Sequence, residues 1–351
     1  MDGPVFVVGS SRSGTNLTRA LLNRHSELWV SGETHYFDDL RPRLPGCGKE
    51  RLEGPARDRC EEYFLALSHR AFGQAGDPAG SRVDAGELRS AATELGGTGD
   101  AYFEALCVIR AGLHGRPHWG EKTPRHVYRI DAVLGAFPNA KVVCLVRDPR
   151  AVVASYRDWH RAAERRGVVE SEQLSADRER TRRSFNVVLM SLLWRAVVRA
   201  SYTALETHGV ERVRIQRFER LAQQPEAEVR DLCAWLGLPF EPALLEIPVV
   251  NSSYATQGEG ISTEPLDRWR ERLPDADVGV VQACCGSLMD ELGYERVDAP
   301  VGRARLAWAF GTAPFAAARA GVANRARLGR ASQYLRRRAG SAFSRGPLGA
   351  E

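Results

Sequence analysis

The chain has 351 residues, of which 43% are hydrophobic and 26% are charged, a composition typical of a globular protein that buries a full core. Its seven cysteines are odd in number, scattered and without CxxC spacing, a pattern that fits reduced thiols in a cytoplasm better than a disulfide framework or a zinc site. We find no apolar run long enough to cross a bilayer. The formal net charge of +5 is uneven, because ten arginines against one acid give residues 301–351 a charge of +9 and leave −4 for the rest.

The first predicted element is a buried strand at residues 4–9 (PVFVVG), an apolar, β-branched run closed by glycine. It begins so close to the start that we expect no secretion leader and a cytoplasmic protein. A polar loop (SSRSGT) then enters a helix that carries leucines at helical spacing. Because the first N–H groups of a helix are unpaired and lie at its positive end, residues 9–16 predict a phosphate-binding loop. A polar turn without a ligand is the alternative.

The two glycines of this loop, Gly9 and Gly14, have the spacing of the nucleoside-triphosphatase loop. That motif ends in Lys-[Ser/Thr], but Thr15 stands where the lysine is needed. The positive charge of the loop is Arg12, which lies inside it. The pattern therefore favours a phosphate ligand other than a triphosphate.

The next segments alternate between strands and helices. The sequence predicts a strand at 28–30 that ends in SGETH, a loop or lid at 41–60, helices within 61–115, a strand at 119–124 and a helix at 125–137. The apolar run at 141–146 is the clearest strand, and the RDPR that follows it places Asp148 as N-cap and Pro149 in the first turn of a helix. A charged segment (161–183), a long helix that ends at 208, a strand at 213–215 and a helix at 225–236 follow.

This alternation predicts an α/β fold with a central parallel sheet and helices on both faces. Ligands of such sheets bind at the carboxyl ends of the strands. Three polar segments are predicted there, at 9–15, 121–123 and 147–155.

These segments carry a resemblance. GSSRSGT (9–15), GEKTP (120–124) and VRDPR (146–150) with the following Ser-Tyr (155–156) resemble the motifs of sulfotransferases that use 3′-phosphoadenosine-5′-phosphosulfate (PAPS), of the bacterial and protein-tyrosine type. The resemblance covers residues 4–160 well, 185–295 weakly and 301–351 not at all. It implies a P-loop-like fold in one large sulfotransferase domain (1–300), with residues 36–118 and 161–190 on the acceptor side.

The resemblance also implies a donor site. It assigns the 5′-phosphosulfate to the first loop, the 3′-phosphate to the segment after the fourth strand, and a cover over that phosphate to a basic-Trp segment. The residues are Arg12, Ser13, Gly14, Thr15 and Asn16, then Arg147 and Ser155, and finally Arg268 and Trp269. Asn16 departs from the family, which more often has Thr there, although Asn can also donate a hydrogen bond.

Catalytic roles follow from the same resemblance. Glu33, in GET after the second strand and 21 residues after Arg12, corresponds to the base, and Lys122 corresponds to the lysine on the bridging oxygen. His35 is the alternative base. Sulfuryl transfer needs positive charge at the leaving phosphate and removal of one proton from the acceptor, which Arg12, Lys122 and Glu33 could supply without a metal ion.

Structural alternatives exist for several of these residues. Arg147 and Asp148 could form only an ion pair at a helix start, Glu121 could be only the salt-bridge partner of Lys122, and Glu33 could be a loop acid bridging to Arg12. The remaining histidines show no ligand spacing and are interpreted as surface or structural residues: His25, His114, His118, His126 and His160.

We therefore predict sulfuryl transfer from PAPS to a hydroxyl of a carbohydrate, glycolipid or secondary metabolite. A P-loop kinase-like phosphotransferase that uses Asp148 and magnesium, or a non-catalytic nucleotide-binding protein, is the alternative. The tail at 301–351 is basic and aromatic, and its residues 303–338 are suited to peripheral contact with an anionic membrane, with a disordered tail as the other interpretation. We do not expect nucleic acid as a partner.

Overall fold

The computed structural model describes residues 1–68, 82–159, 179–247 and 261–324. Their central element is one five-stranded sheet in the order β2-β3-β1-β4-β5, in which every pairing is parallel. The strands are β1 (Val5–Gly9), β2 (Leu28–Ser31), β3 (His118–Lys122), β4 (Lys141–Val146) and β5 (Val213–Arg217). The predicted parallel α/β sheet is confirmed, with each strand close to its predicted position.

Thirteen helices with printed bounds surround this sheet within the described ranges. They are α1 (Thr15–Leu22), α2 (Tyr36–Asp39), α3 (Gly54–Ser68), α4 (Ala85–Glu94), α5 (Gly99–Leu113), α6 (Ile130–Ala136), α7 (Pro149–Trp159), α8 (Val187–His208), α9 (Phe218–Gln223), α10 (Pro225–Leu236), α11 (Arg268–Arg272), α12 (Asp275–Glu291) and α13 (Arg303–Ala323). Short 3₁₀ helices span Arg41–Arg43, Pro45–Gly48, Pro124–Arg129 and Pro242–Leu245, and residues 179–184 are helical.

The sheet separates two cores. Neighbouring residues of a strand point to opposite faces, so Val5 and Val7 enter one core while Phe6 and Val8 enter the other, and all four are fully buried. The larger core is aromatic: the rings of Phe103 and Phe137 stack on Phe6 with centroids 6.0 and 5.8 Å away. Burial on both faces explains why β1 reads as a continuous apolar run.

Three connecting regions differ from their predictions. Residues 41–60 are not an open loop, because Leu44 and Leu52 are buried, Arg41 pairs with Asp100 at 2.7 Å, and α3 begins within the range. The helix predicted at 125–137 starts instead as a 3₁₀ helix before α6. The predicted tail opens with helix α13, and its residues 325–351 lie outside the described residues. Most of the charged segment at 161–183 lies outside the described residues.

Helix α8 corrects a further expectation. By length and composition it is apolar enough to cross a bilayer, although we expected no such run. However, 61% of its most apolar window is buried inside the protein, and Trp194, Val198 and Tyr202 belong to the larger core. The burial of these side chains explains the apolar sequence of α8 as that of a core helix.

Candidate active site

The sheet register brings the three polar segments together. Val7 of β1 lies opposite Lys122 of β3, Ser31 of β2 lies opposite Glu121, and Gly9 of β1 lies opposite Leu145 of β4. The residues that follow these pairs therefore emerge at one edge, the carboxyl edge of the parallel sheet. This is the position where open α/β sheets bind their ligands.

The loop between β1 and α1 depends on its two glycines. Gly9 has a φ of 135°, and a Cβ there would lie 2.5 Å from the carbonyl oxygen of Leu145. Gly14 has a φ of 99°, and its Cβ would lie 2.5 Å from Cδ2 of Phe218. Other residues would be strained at both positions, so the glycines hold the loop close to its neighbours.

The N-terminus of α1 is open to an anion. The first turn, which begins at Thr15, contains no acidic residue, and no side-chain hydrogen bond caps it. Ser13 is fully buried just before this turn, and its Oγ has no hydrogen-bond partner among the described residues. A buried hydroxyl beside unpaired backbone N–H groups is what a bound phosphate would satisfy, so this loop fits the 5′ side of the predicted donor.

Arg12, Arg147 and Ser155 meet as one group. Arg12 donates from Nε to Ser155 Oγ at 3.0 Å, and Arg147 donates from Nη1 to the carbonyl oxygen of Arg12 at 3.1 Å. The guanidinium of Arg147 also stacks over Phe218, 4.2 Å from the ring centroid. The structure thus joins the first loop to the start of α7, and it places the Arg12 side chain on the side assigned to the 3′-phosphate.

The basic-Trp segment lies beside this group. Arg147 donates from Nη2 to the carbonyl oxygen of Pro265 at 2.7 Å, which fixes the chain just before α11. Trp269 is buried, and the guanidinium groups of Arg150 and Arg270 lie 4.1 and 4.6 Å from its ring centroid. Arg268 pairs with Glu264. The indole of Trp269 is therefore part of the packing between α11 and α7.

The predicted N-cap of α7 is confirmed, and the structural alternative, an ion pair between Arg147 and Asp148, is not found among the described contacts. Asp148 Oδ1 accepts from the backbone N–H of Arg150 at 2.8 Å. Its carboxylate also pairs with the guanidinium of Arg150 at 2.6 Å, and not with that of Arg147. Because Arg150 neutralises Asp148, the guanidinium of Arg147 faces the carbonyl oxygens described above.

Three of the predicted catalytic residues are in contact, with Glu33 between Lys122 and His35. Lys122 donates from Nζ to Glu33 Oε1 at 2.7 Å, and His35 Nε2 lies 3.3 Å from Glu33 Oε2. Burial would raise the pKa of the Glu33 carboxyl, but the charge of Lys122 and the hydrogen bond from His35 hold that pKa well below its ordinary value. Glu33 is therefore an ionised carboxylate at neutral pH, and its cationic neighbour is Lys122 rather than Arg12.

Glu121 is not the salt-bridge partner of Lys122, because neighbouring residues of a strand point to opposite faces. It is fully buried, and its Oε1 accepts from the backbone N–H and the hydroxyl of Thr34, both at 2.9 Å, and from the hydroxyl of Thr123. His126 Nδ1 lies 3.3 Å from Glu121 Oε2. Glu121 thus fastens the residue after Glu33 to the strand that carries Lys122.

A second set of contacts holds the same segment, and the sequence did not point to it. Asp38 accepts from Arg129 Nε at 2.9 Å and lies 3.2 Å from Arg125 Nε, and Arg125 also pairs with Asp39. Tyr63 donates to the carbonyl oxygen of Thr34 at 2.5 Å. The sequence does contain a signal for these ion pairs. Two acids follow GETH and two arginines follow EKTP, and each of these segments comes after a strand that ends at the same edge of the sheet.

Three of the histidines interpreted as surface or structural residues are buried or packed on a ring. His25 and His126 are fully buried, and His114 stacks on Trp29. His160 lies outside the described residues. The ranges that the structure describes contain no group of three or more His, Cys, Asp or Glu residues arranged to hold a metal ion.

Comparison with known proteins identifies the family of the chain. A model of the sulfotransferase family matches residues 4–242. Carbohydrate sulfotransferase 3 of Homo sapiens is 29% identical over 176 residues, which are 45% of this chain and 34% of that protein. Protein-tyrosine sulfotransferase of Drosophila melanogaster is 22% identical over 305 residues, which are 83% of this chain and 51% of that protein. The chain thus spans about a third to a half of the length of these two relatives.

A solved structure can be compared as well. The sulfotransferase domain from the curacin biosynthetic pathway has 20% sequence identity and a TM-score of 0.47, over 85% of this chain and 99% of that domain. The family match itself covers both glycines of the first loop, the Glu33–Lys122 pair and the Arg147 group. This chain belongs to the sulfotransferase family.

Proposed function

We propose that this protein transfers a sulfuryl group from PAPS to a hydroxyl acceptor. The observation that carries the proposal is the ionised Glu33–Lys122 pair at the same sheet edge as the open N-terminus of α1. The N-terminus of α1 can bind an oxyanion, and the Glu33–Lys122 pair can move a proton. These are the two requirements of the reaction.

The residues divide these tasks between them. The α1 N-terminus and Ser13 would hold the 5′-phosphosulfate, while Arg147 and Ser155 would hold the 3′-phosphate. When bound, PAPS supplies the sulfuryl group and leaves adenosine 3′,5′-bisphosphate. The ammonium of Lys122, which is almost wholly buried, provides a positive charge that needs little reorganisation.

Glu33 would accept the proton of the acceptor hydroxyl. Its low pKa makes it a weak base, so the proton moves late, when the hydroxyl has become acidic through bond formation to sulfur. His35, on the other side of Glu33, orients the carboxylate. Its backbone φ of 55° is in the left-handed region, which is strained for a non-glycine residue and consistent with a functional turn.

The acceptor is proposed only as a class. The names of the relatives include carbohydrate and protein-tyrosine sulfotransferases, which supports a hydroxyl of a saccharide or of a phenol. A glycolipid or a secondary metabolite with such a hydroxyl belongs to the same proposed class. The walls of its pocket would come from residues 36–118 and 161–190, which connect the strands without contributing to the phosphate loop.

A transfer assay tests the proposal. Purified protein is incubated with radiolabelled PAPS and a panel of saccharides, glycolipids and tyrosine peptides, and labelled product is measured together with released adenosine 3′,5′-bisphosphate. We expect label in at least one acceptor and none with Glu33→Gln. Calorimetry provides the second arm: tighter binding of ATP with magnesium than of the bisphosphate would favour a kinase-like enzyme and contradict the proposal.

A further inference from the structure

Helix α13 is held on the protein by one of its faces. Ala309 belongs to the larger core, Leu306 and Ala313 pack on that core, and Ala316 is also buried. Near the start of the helix, Arg305 pairs with Asp277 at 2.9 Å. At its end, the Asn324 side chain contacts Arg180 and Ser184, at 2.7 and 2.9 Å. The orientation of α13 is therefore fixed, and the opposite face is turned outward.

That outward face is apolar. Trp308, Phe315 and Val322 recur every seven residues and share one side of the helix, with exposed fractions of 60, 78 and 68%. Phe310 is also 46% exposed, but it lies two residues after Trp308 and therefore on another side of the helix. These are four of the eight large hydrophobic residues found exposed in the described part of the chain. Alanine, glycine and proline fill the spaces between them, and residues 306–318 contain no charge.

The charged residues of α13 and of the sequence after it, up to residue 350, have one sign. Residues 299–350 contain ten arginines and no acid, and seven of these arginines follow the end of α13. A second copy of the chain would bring the same positive charge to the interface, and the two would repel. A partner that combines an apolar interior with an anionic surface suits both the aromatic side chains and the arginines.

We propose that the outward face of α13 docks on the surface of an anionic lipid bilayer. Trp308, Phe315 and Val322 insert at the level of the headgroups, and the arginine-rich sequence after the helix supplies positive charge for the phosphates of the lipids. The helix lies along the surface and does not span it. This membrane contact is separate from the proposed transfer reaction and does not depend on it.

Sedimentation with vesicles tests the proposal on the full chain. We expect the protein to pellet with vesicles of phosphatidylglycerol and phosphatidylcholine but not with phosphatidylcholine alone, and the bound fraction to fall as salt rises. The double variant Trp308→Ser/Phe315→Ser should weaken binding at least ~10-fold, because it removes two large apolar side chains. The matched control, Leu95→Ser/Leu113→Ser, changes two exposed leucines on other helices and should bind like the unmodified protein.

Two further measurements separate the membrane from other occupants. Replacement of the seven arginines after α13 by glutamine should abolish the preference for phosphatidylglycerol, and an unchanged preference would contradict the proposal. Analytical ultracentrifugation over a range of protein concentrations should show a mass that Trp308→Ser/Phe315→Ser leaves unaltered. A dimer that this variant dissociates, or failure of the unmodified chain to bind anionic vesicles at low salt, would overturn membrane docking.

Discussion

Lys122 and Glu33, 89 residues apart in the chain, form a 2.7 Å hydrogen bond between the ends of β3 and β2. Their opposite charges attract each other directly. The ammonium keeps the carboxylate ionised despite its burial, and the carboxylate stabilises a positive charge that has little access to water. A change at either position is therefore expected to alter the chemistry of both.

The first prediction concerns Glu33 as base. Glu33→Gln keeps the size of the side chain but cannot accept the proton, so kcat should fall by about 100-fold or more. Binding of adenosine 3′,5′-bisphosphate by calorimetry should remain within about 3-fold, because Glu33 is not assigned to the donor. The control, Glu94→Gln, changes an exposed carboxylate on α4 and should leave both values unaltered. Full turnover by Glu33→Gln would exclude it as the base.

The second prediction is a pH profile. The pKa of Glu33 is held below its ordinary value of 4.5, so its carboxylate stays ionised as the pH falls from neutral to that value. The kcat/KM of the unmodified enzyme should then show no acid limb between about pH 5 and 7. In Lys122→Met burial is no longer opposed by the ammonium, so the pKa of Glu33 rises and an acid limb should move upward into the measured range.

The same profile distinguishes the two candidate bases. A histidine base would produce an acid limb near the ordinary imidazole value of about 6.5. Such a limb in the unmodified enzyme, lost in His35→Asn together with most of the activity, would assign the base to His35 and not to Glu33.

The sequence predicted the sheet well because the relevant signals are local. The apolar run of β4 is covered on both faces, so its bounds, Lys141–Val146, could be read directly from composition. The N-cap Asp148 and Pro149 mark the start of α7 in the same way. These features depend on neighbouring residues and on nothing more distant in the chain.

The contacts within the site depend on register, which the sequence alone does not give. Glu121 stands beside Lys122 in the chain, and a salt bridge between them was the structural alternative, but strand alternation turns the two side chains to opposite faces. The actual partners, Glu33 for Lys122 and Thr34 for Glu121, come from the segment just after β2, which is 89 and 87 residues earlier in the chain. The contact between Arg150 and the ring of Trp269 could not be predicted for the same reason, because only the fold brings these distant residues together.

The third prediction is that Glu121 is a positioning residue. Glu121→Gln keeps an oxygen that can accept from Thr34 but removes the charge that faces His126, so the turn that carries Glu33 should be held less firmly. We expect kcat to fall about 10-fold with little change in the KM for PAPS. Glu121→Ala should in addition destabilise the fold by about 3 kcal/mol, because buried partners lose their acceptor.

A control separates positioning from stability in this case. Glu61 is also buried and accepts from Arg89 and Tyr102, but it lies in α3 and holds helices rather than the catalytic turn. Glu61→Gln should lower the unfolding midpoint without lowering kcat in folded protein. If Glu121→Gln behaved in the same way, its role would be structural only.

The fourth prediction concerns recognition of the 3′-phosphate by Arg147. Its guanidinium is held by the carbonyl oxygens of Arg12 and Pro265 and by the ring of Phe218, so its charge is fixed at the start of α7. Arg147→Ala should weaken binding of adenosine 3′,5′-bisphosphate about 10- to 100-fold, the range of a lost charged hydrogen bond, and should leave the affinity for adenosine 5′-monophosphate nearly unchanged. Calorimetry with both nucleotides gives the ratio of the two affinities directly.

The control is Arg214→Ala, which removes an arginine of β5 that pairs with Asp231. It should leave the ratio of the two affinities intact. An equal loss for both nucleotides in Arg147→Ala would mean that Arg147 supports the loop as a whole and does not read the second phosphate.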